Sequence, residues 1–69
     1  MVLSEVKKNG VYHVKRLEGS DDLNRHLVNL GFVSGERVTV VSRIAGNIIV
    51  NVKGSRVALS AELARNIVI

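Results

Sequence analysis

The chain has 69 residues, 46% hydrophobic and 23% charged, with no Cys, no Pro and a net charge of +4. This excludes a disulfide-stapled scaffold, a thiolate metal centre and a disordered chain, and leaves one small domain, residues 1–69, with a single core. No apolar run approaches the roughly 20 residues that span a bilayer, and residues 1–8 lack a signal-peptide core, so a cytoplasmic, non-membrane protein is expected.

Leu3-Ser4-Glu5-Val6 reads as one helical turn that folds Leu3 and Val6 onto the core. Asn9-Gly10 signals a turn. A first strand follows over residues 11–18, but its alternation slips, because Val14 and Leu17 are three apart and cannot share a face of a regular strand. A bulge around Lys15-Arg16 repairs the phase. Gly19 closes the strand. Ser20 then caps a helix over residues 21–30, Asp21 and Asp22 favour its N-terminal dipole, and Leu23, Leu27 and Leu30 form its apolar face. Gly31 stops the helix at the position that needs positive φ.

After Gly35 a second strand, residues 36–43, points Val38 and Val40 inward and Arg37 and Thr39 outward. Ala45-Gly46-Asn47 is a turn. Ile48, Val50 and Val52 line one face of the next strand, with Ile49, Asn51 and Lys53 on the other. Gly54-Ser55 fits the primed turn of a hairpin. Val57 and Leu59 point inward on a short strand over residues 56–59. Residues 60–65 form a capped helical turn, and residues 67–69 a last strand. The fold class that follows is mainly β. It is a small SH3-like barrel of about five strands, with one short helix inserted after the first strand and a helical turn before the last.

The run Leu27, Leu30, Gly31, Phe32, Val33, Gly35, Val38 resembles the signature of the FeoA family (ferrous iron transport protein A). The resemblance continues through Leu3, Gly10, Gly19, Gly54, Ala58-Leu59, Ala64, Ile67 and Val68, so it covers almost the whole chain. Many members carry Pro between the two glycine signals, where this chain has Val33-Ser34, and another in the turn near Asn47. What the resemblance implies is a small cytosolic, non-enzymatic accessory protein of ferrous iron uptake. Its implied partner is FeoB, a membrane iron transporter whose cytosolic part binds GTP. A similar SH3-like module is the C-terminal domain of metal-dependent repressors, and that regulatory role is an alternative.

The residues themselves offer little for catalysis. Ser20, His26 and Asp22 can be arranged as a triad on paper, but Ser20 and the aspartates are explained by helix capping. No glycine forms a phosphate loop followed by Lys and Ser/Thr. For a divalent transition metal (iron, zinc or manganese) the candidates are His13 and His26, with Glu18, Asp21 and Asp22 as neighbours. No paired-ligand spacing joins them, so any site is of low affinity and mixed N/O ligation. A basic barrel that binds single-stranded nucleic acid is a further alternative. Such binding stacks bases on exposed aromatics, however, and this chain has only Tyr12 and Phe32, so no nucleic acid is expected. The docking candidates are Arg25, His26, Val28 and Asn29 on the polar side of the helix, with Tyr12 and Ile49 on strands. Arg and aromatic anchors dominate such interfaces.

Overall fold

A computed structural model describes all 69 residues. A 3₁₀ turn (Leu3–Glu5) precedes β1 (Gly10–His13), β2 (Arg16–Leu17), α1 (Asp21–Leu30), β3 (Arg37–Ile44), β4 (Asn47–Val52), β5 (Ser55–Leu59), α2 (Ala61–Ala64) and β6 (Ile67–Val68). All pairings are antiparallel: one sheet in the order β1-β3-β4-β5, and a second of β2 with β6. The sheets do not close on each other through hydrogen bonds, so β1 and β5 remain as edges of the larger sheet.

Period-two alternation builds the core. Val38, Val40, Ile48, Val50, Val52 and Leu59 are all buried on the inner face. From the opposite side Leu3, Val14, Leu27, Phe32, Ala64 and Ile67 complete one cluster, each with no more than 2% of its surface exposed. Each fully buried Val, Leu, Ile or Phe side chain contributes about 1.5–3 kcal/mol. Between Val40 and Ser42 the β3–β4 register shifts by one residue, so the strand bends there without losing its pairing.

Two expectations are corrected. Residues 11–18 are not one bulged strand, so the protein has six strands. β1 pairs with β3 and β2 with β6, and the chain changes sheets at Val14-Lys15. The Val14 N–H donates to the Glu36 carbonyl at 3.0 Å, its own carbonyl accepts from Gly35 at 2.7 Å, and the Lys15 N–H donates to Val68 at 2.7 Å. Val14 and Leu17 thus reach the core from separate sheets, which removes the phase conflict. The β4–β5 reversal sits one residue earlier than expected, on Lys53-Gly54, where both φ values are positive (49° and 78°). That is the primed geometry whose twist matches the flanking strands.

Helix α1 follows its sequence signals to the residue. The Ser20 hydroxyl accepts from the Leu23 N–H at 3.2 Å, and Gly31 closes the helix at φ 110°. Val52 and Lys53 lie 3.3 Å from where a Gly31 Cβ would stand, which brings the helix end against β4. The loop to β3 is tied down by the Ser34 hydroxyl, which donates to the Lys15 carbonyl at 3.0 Å. A proline at this position would lack that bond. The small sheet also holds the chain ends together, since Val2 bridges Val68 and the Ile69 N–H donates to the Met1 carbonyl.

Leu27 is the fully buried member of the α1 stripe, while Leu23 and Leu30 are half-buried. Leu27→Ala is therefore expected to lower unfolding stability by ~2–5 kcal/mol. Urea denaturation followed by far-UV circular dichroism measures this; a midpoint equal to that of the parent chain would place Leu27 outside the core.

Candidate docking surfaces

The solvent side of α1 carries four of the residues singled out from the sequence. Arg25, His26, Val28 and Asn29 are all exposed, Val28 at 45%. Arg25 lies 3.5 Å from the Asp22 carboxylate across one helical turn, with 73% of the Arg side chain and 94% of the Asp side chain exposed. An ion pair this exposed contributes little to stability and leaves the guanidinium free to exchange partners. Asn24, also off the leucine stripe, is half-buried instead. Its Oδ1 accepts the Gly19 N–H at 2.9 Å, and a Cβ on Gly19 would lie 2.7 Å from Leu23. Asn24 and Leu23 thus clasp the chain as it enters the helix.

Tyr12 and Ile49 part company with the helix and with each other. In the register Tyr12 stands opposite Val38, and Val38 opposite Val52, so Tyr12 lies in an inward-facing row. It packs half-buried against the core, and its hydroxyl donates to the Lys8 carbonyl at 2.9 Å. Ile49 turns away from its buried neighbours Ile48 and Val50, and sits half-buried between Ser42 and Ala58 on the outer face of the sheet. Helix α1 meets the core from the inner side through Leu27, so its exposed face and Ile49 do not form one patch.

The metal candidates are also apart in character. His13 stands opposite Arg37 in the β1–β3 register, and that positive neighbour opposes a bound cation. His26 is exposed on α1, where the nearby Asp22 is engaged by Arg25. No group of three or more His, Asp or Glu side chains is close enough to hold a metal ion. The paper triad of Ser20, His26 and Asp22 is used otherwise: Ser20 caps α1 and Asp22 pairs with Arg25.

One feature escaped the sequence reading. On the outer face of the large sheet, Arg37 and Thr39 of β3, Asn51 of β4, and Lys53 and Gly54 of the turn surround a shallow depression of about 280 Å³ with no hydrophobic lining. Glu36 also lines it and pairs with Lys53 at 3.1 Å. The outward phase of Arg37, Asn51 and Lys53 was the available signal; that they meet depends on strand register.

Known proteins share this fold. The family model described as FeoA domain matches residues 1–69. Among solved structures, FeoA of Stenotrophomonas maltophilia complexed with zinc, a prokaryotic SH3 domain protein, is 31% identical and superposes with a TM-score of 0.85. The match covers 99% of this chain and 87% of that one. Iron(II) transport protein A of Clostridium thermocellum is 30% identical, with a TM-score of 0.89, over 99% of this chain and 43% of that one. The manganese regulator SloR is 20% identical with a TM-score of 0.85, and this chain spans only 32% of its length. At that identity the likeness to SloR is one of fold. No curated protein matches the sequence.

The Asn24 clasp generates a test. Asn24→Ala strands the part-buried Gly19 N–H and is expected to destabilise the protein by about 1–2 kcal/mol. An Asn24→Asp variant, which keeps the acceptor oxygen, is expected to recover most of that loss in the same thermal melts.

Proposed function

The chain belongs to the FeoA domain family, and on that premise we propose that it is a non-enzymatic accessory protein of ferrous iron uptake. It acts by docking on the cytosolic GTP-binding part of a membrane ferrous iron transporter and modulating it. The observation that carries this reading is the family match along the entire chain. The placement of the polar side chains supports it. Ser20 serves the helix cap and Asp22 a surface ion pair, so neither is arranged with His26 as a nucleophilic site, in keeping with a role in binding. No helix is long and apolar enough to cross a membrane, which fits a partner that supplies the membrane part itself.

Docking is assigned to the exposed side of α1. Arg25 offers a guanidinium held only by a solvated carboxylate, and Val28 adds apolar area next to it. Arg is enriched among residues that dominate binding energy, and a neighbouring apolar group helps to exclude water around it. His26 and Asn29 complete the same exposed surface. The nucleic-acid alternative loses support because both aromatics face inward: Phe32 is fully buried, and Tyr12 is half-buried and hydrogen-bonded. The regulatory-module alternative rests on the shared fold with SloR. It predicts a change in transcription of metal-responsive genes on deletion, where the transport reading predicts reduced ferrous iron uptake.

The decisive measurement is ferrous iron uptake under low oxygen in a deletion strain complemented with variants. Deletion is expected to reduce uptake, and unchanged uptake across iron concentrations would sink the transport reading. Arg25→Glu is expected to impair uptake while shifting stability by less than about 0.5 kcal/mol, as exposed substitutions usually do. With the purified transporter domain the same variant is expected to associate more slowly, with the difference shrinking as salt is raised. Normal uptake together with a normal melt would remove α1 from the interface.

A further inference from the structure

The charges of this protein are segregated in a way the fold does not require. The four strands of the large sheet contain Arg37, Arg43, Arg56 and His13 and no Asp or Glu. The six acidic residues lie on the helices, the 3₁₀ turn and the loops, and only Glu36 adjoins the sheet. On the outer face His13 stands opposite Arg37, and Lys53 follows one step beyond the Val38–Val52 pair, beside Arg37. In the adjacent row Arg56 stands opposite Asn51 and reaches its Oδ1 at 3.4 Å. Like charges side by side across strands, as Arg37 and Lys53 are, destabilise a sheet. None of the protein's three ion pairs involves Arg37 or Arg56.

Protection of a sheet edge accounts for Arg56, since β5 is an edge strand, but not for Arg37. Arg37 lies on β3, flanked by β1 and β4, where no edge needs guarding. We infer that the outer face of the β1-β3-β4-β5 sheet is a second docking surface, independent of α1, and that its occupant is an acidic, extended protein segment. Its anchors are Arg37 and Arg56, with the polar groups of Thr39 and Asn51 between them. The geometry fits a chain of separated carboxylates. Arg37 and Arg56 stand two strands and one row apart, so their Cα atoms are about 12 Å from each other, a span that long side chains match to carboxylates four residues apart, ~14 Å, along one side of an extended peptide. A compact anion fits less well, because the Glu36 carboxylate already occupies one wall of the depression and holds Lys53. A nucleic-acid strand fits less well again, because this face carries no aromatic ring for a base to stack on.

The test is a titration of the isotope-labelled protein, followed by amide chemical shifts. The probe is a short peptide of alternating Glu and Thr, run beside an oligothymidylate. The expected result is peptide-induced shifts centred on Arg37, Thr39, Asn51 and Arg56. The double variant Arg37→Gln/Arg56→Gln is expected to bind the peptide about fivefold more weakly or worse. Lys7→Gln/Lys8→Gln removes the same charge from another exposed site and is expected to bind as the parent does. The inference is overturned by equal losses in the two variants, by shifts that map elsewhere, or by an oligothymidylate that binds this face more tightly than the peptide. The shift map of the unsubstituted protein decides the location even if a variant folds poorly.

Discussion

The architecture depends on Val14. Its side chain is 2% exposed, and its backbone ties the large sheet to the β3 approach through Glu36 and Gly35, while the next residue bonds to β6. Apart from that junction, the Ser34–Lys15 hydrogen bond and the segments that carry the helices, the two sheets meet through side-chain packing. In a chain of this length, with no disulfide, one core must be shared by every element, and a small domain buries only about 60% of the surface its unfolded chain exposes. The switch at Val14 lets strands on both sides of the core belong to one continuous path. It also places β6 so that the chain ends pair with each other rather than fray.

What was legible in the sequence was local. Ser20, the two aspartates, the leucine spacing and Gly31 each act within a few residues, and α1 has the bounds they imply. The alternation of Val38-Val40 and Ile48-Val50-Val52 likewise reads directly as buried rows. The first strand was not legible to the same degree. A bulge and a change of sheet leave the same trace, two inward residues three apart, and the choice between them depends on where Ile67-Val68 lies. Tyr12 is different, because the signal was present: it is two residues from Val14 and so shares its inward side. The neighbouring Val11, 55% exposed, shows that hydrophobicity alone did not set the phase. The role of Asn24 is not legible from helical periodicity, because its partner is a backbone N–H five residues earlier, outside the usual capping pattern.

The candidate sites divide along the same line. The exposed side of α1 could be read from helical periodicity, since everything off the leucine stripe is solvent-facing unless another bond claims it. The cationic sheet face could not, because its residues come from β1, β3, β4 and β5 and meet only through the register.

The two faces also differ in how they relate to stability. Leu27 and the inward valines are committed to the core, so substitution there changes folding before it changes binding. Arg25, Val28, Arg37 and Arg56 bury little, and the three guanidinium groups interact mainly with solvent or with one neighbour. Because the sheet lies between its outer face and the core that α1 covers, a rigid partner surface that meets one face does not meet the other. With both proposed surfaces occupied, the partner would have to supply two separate segments, or one segment that wraps around the domain. Variants on the two faces should then be additive in binding if the segments act independently, since sites without shared contacts couple little. A loss in the combined variant no greater than that of either face alone would mean that one face works only through the other.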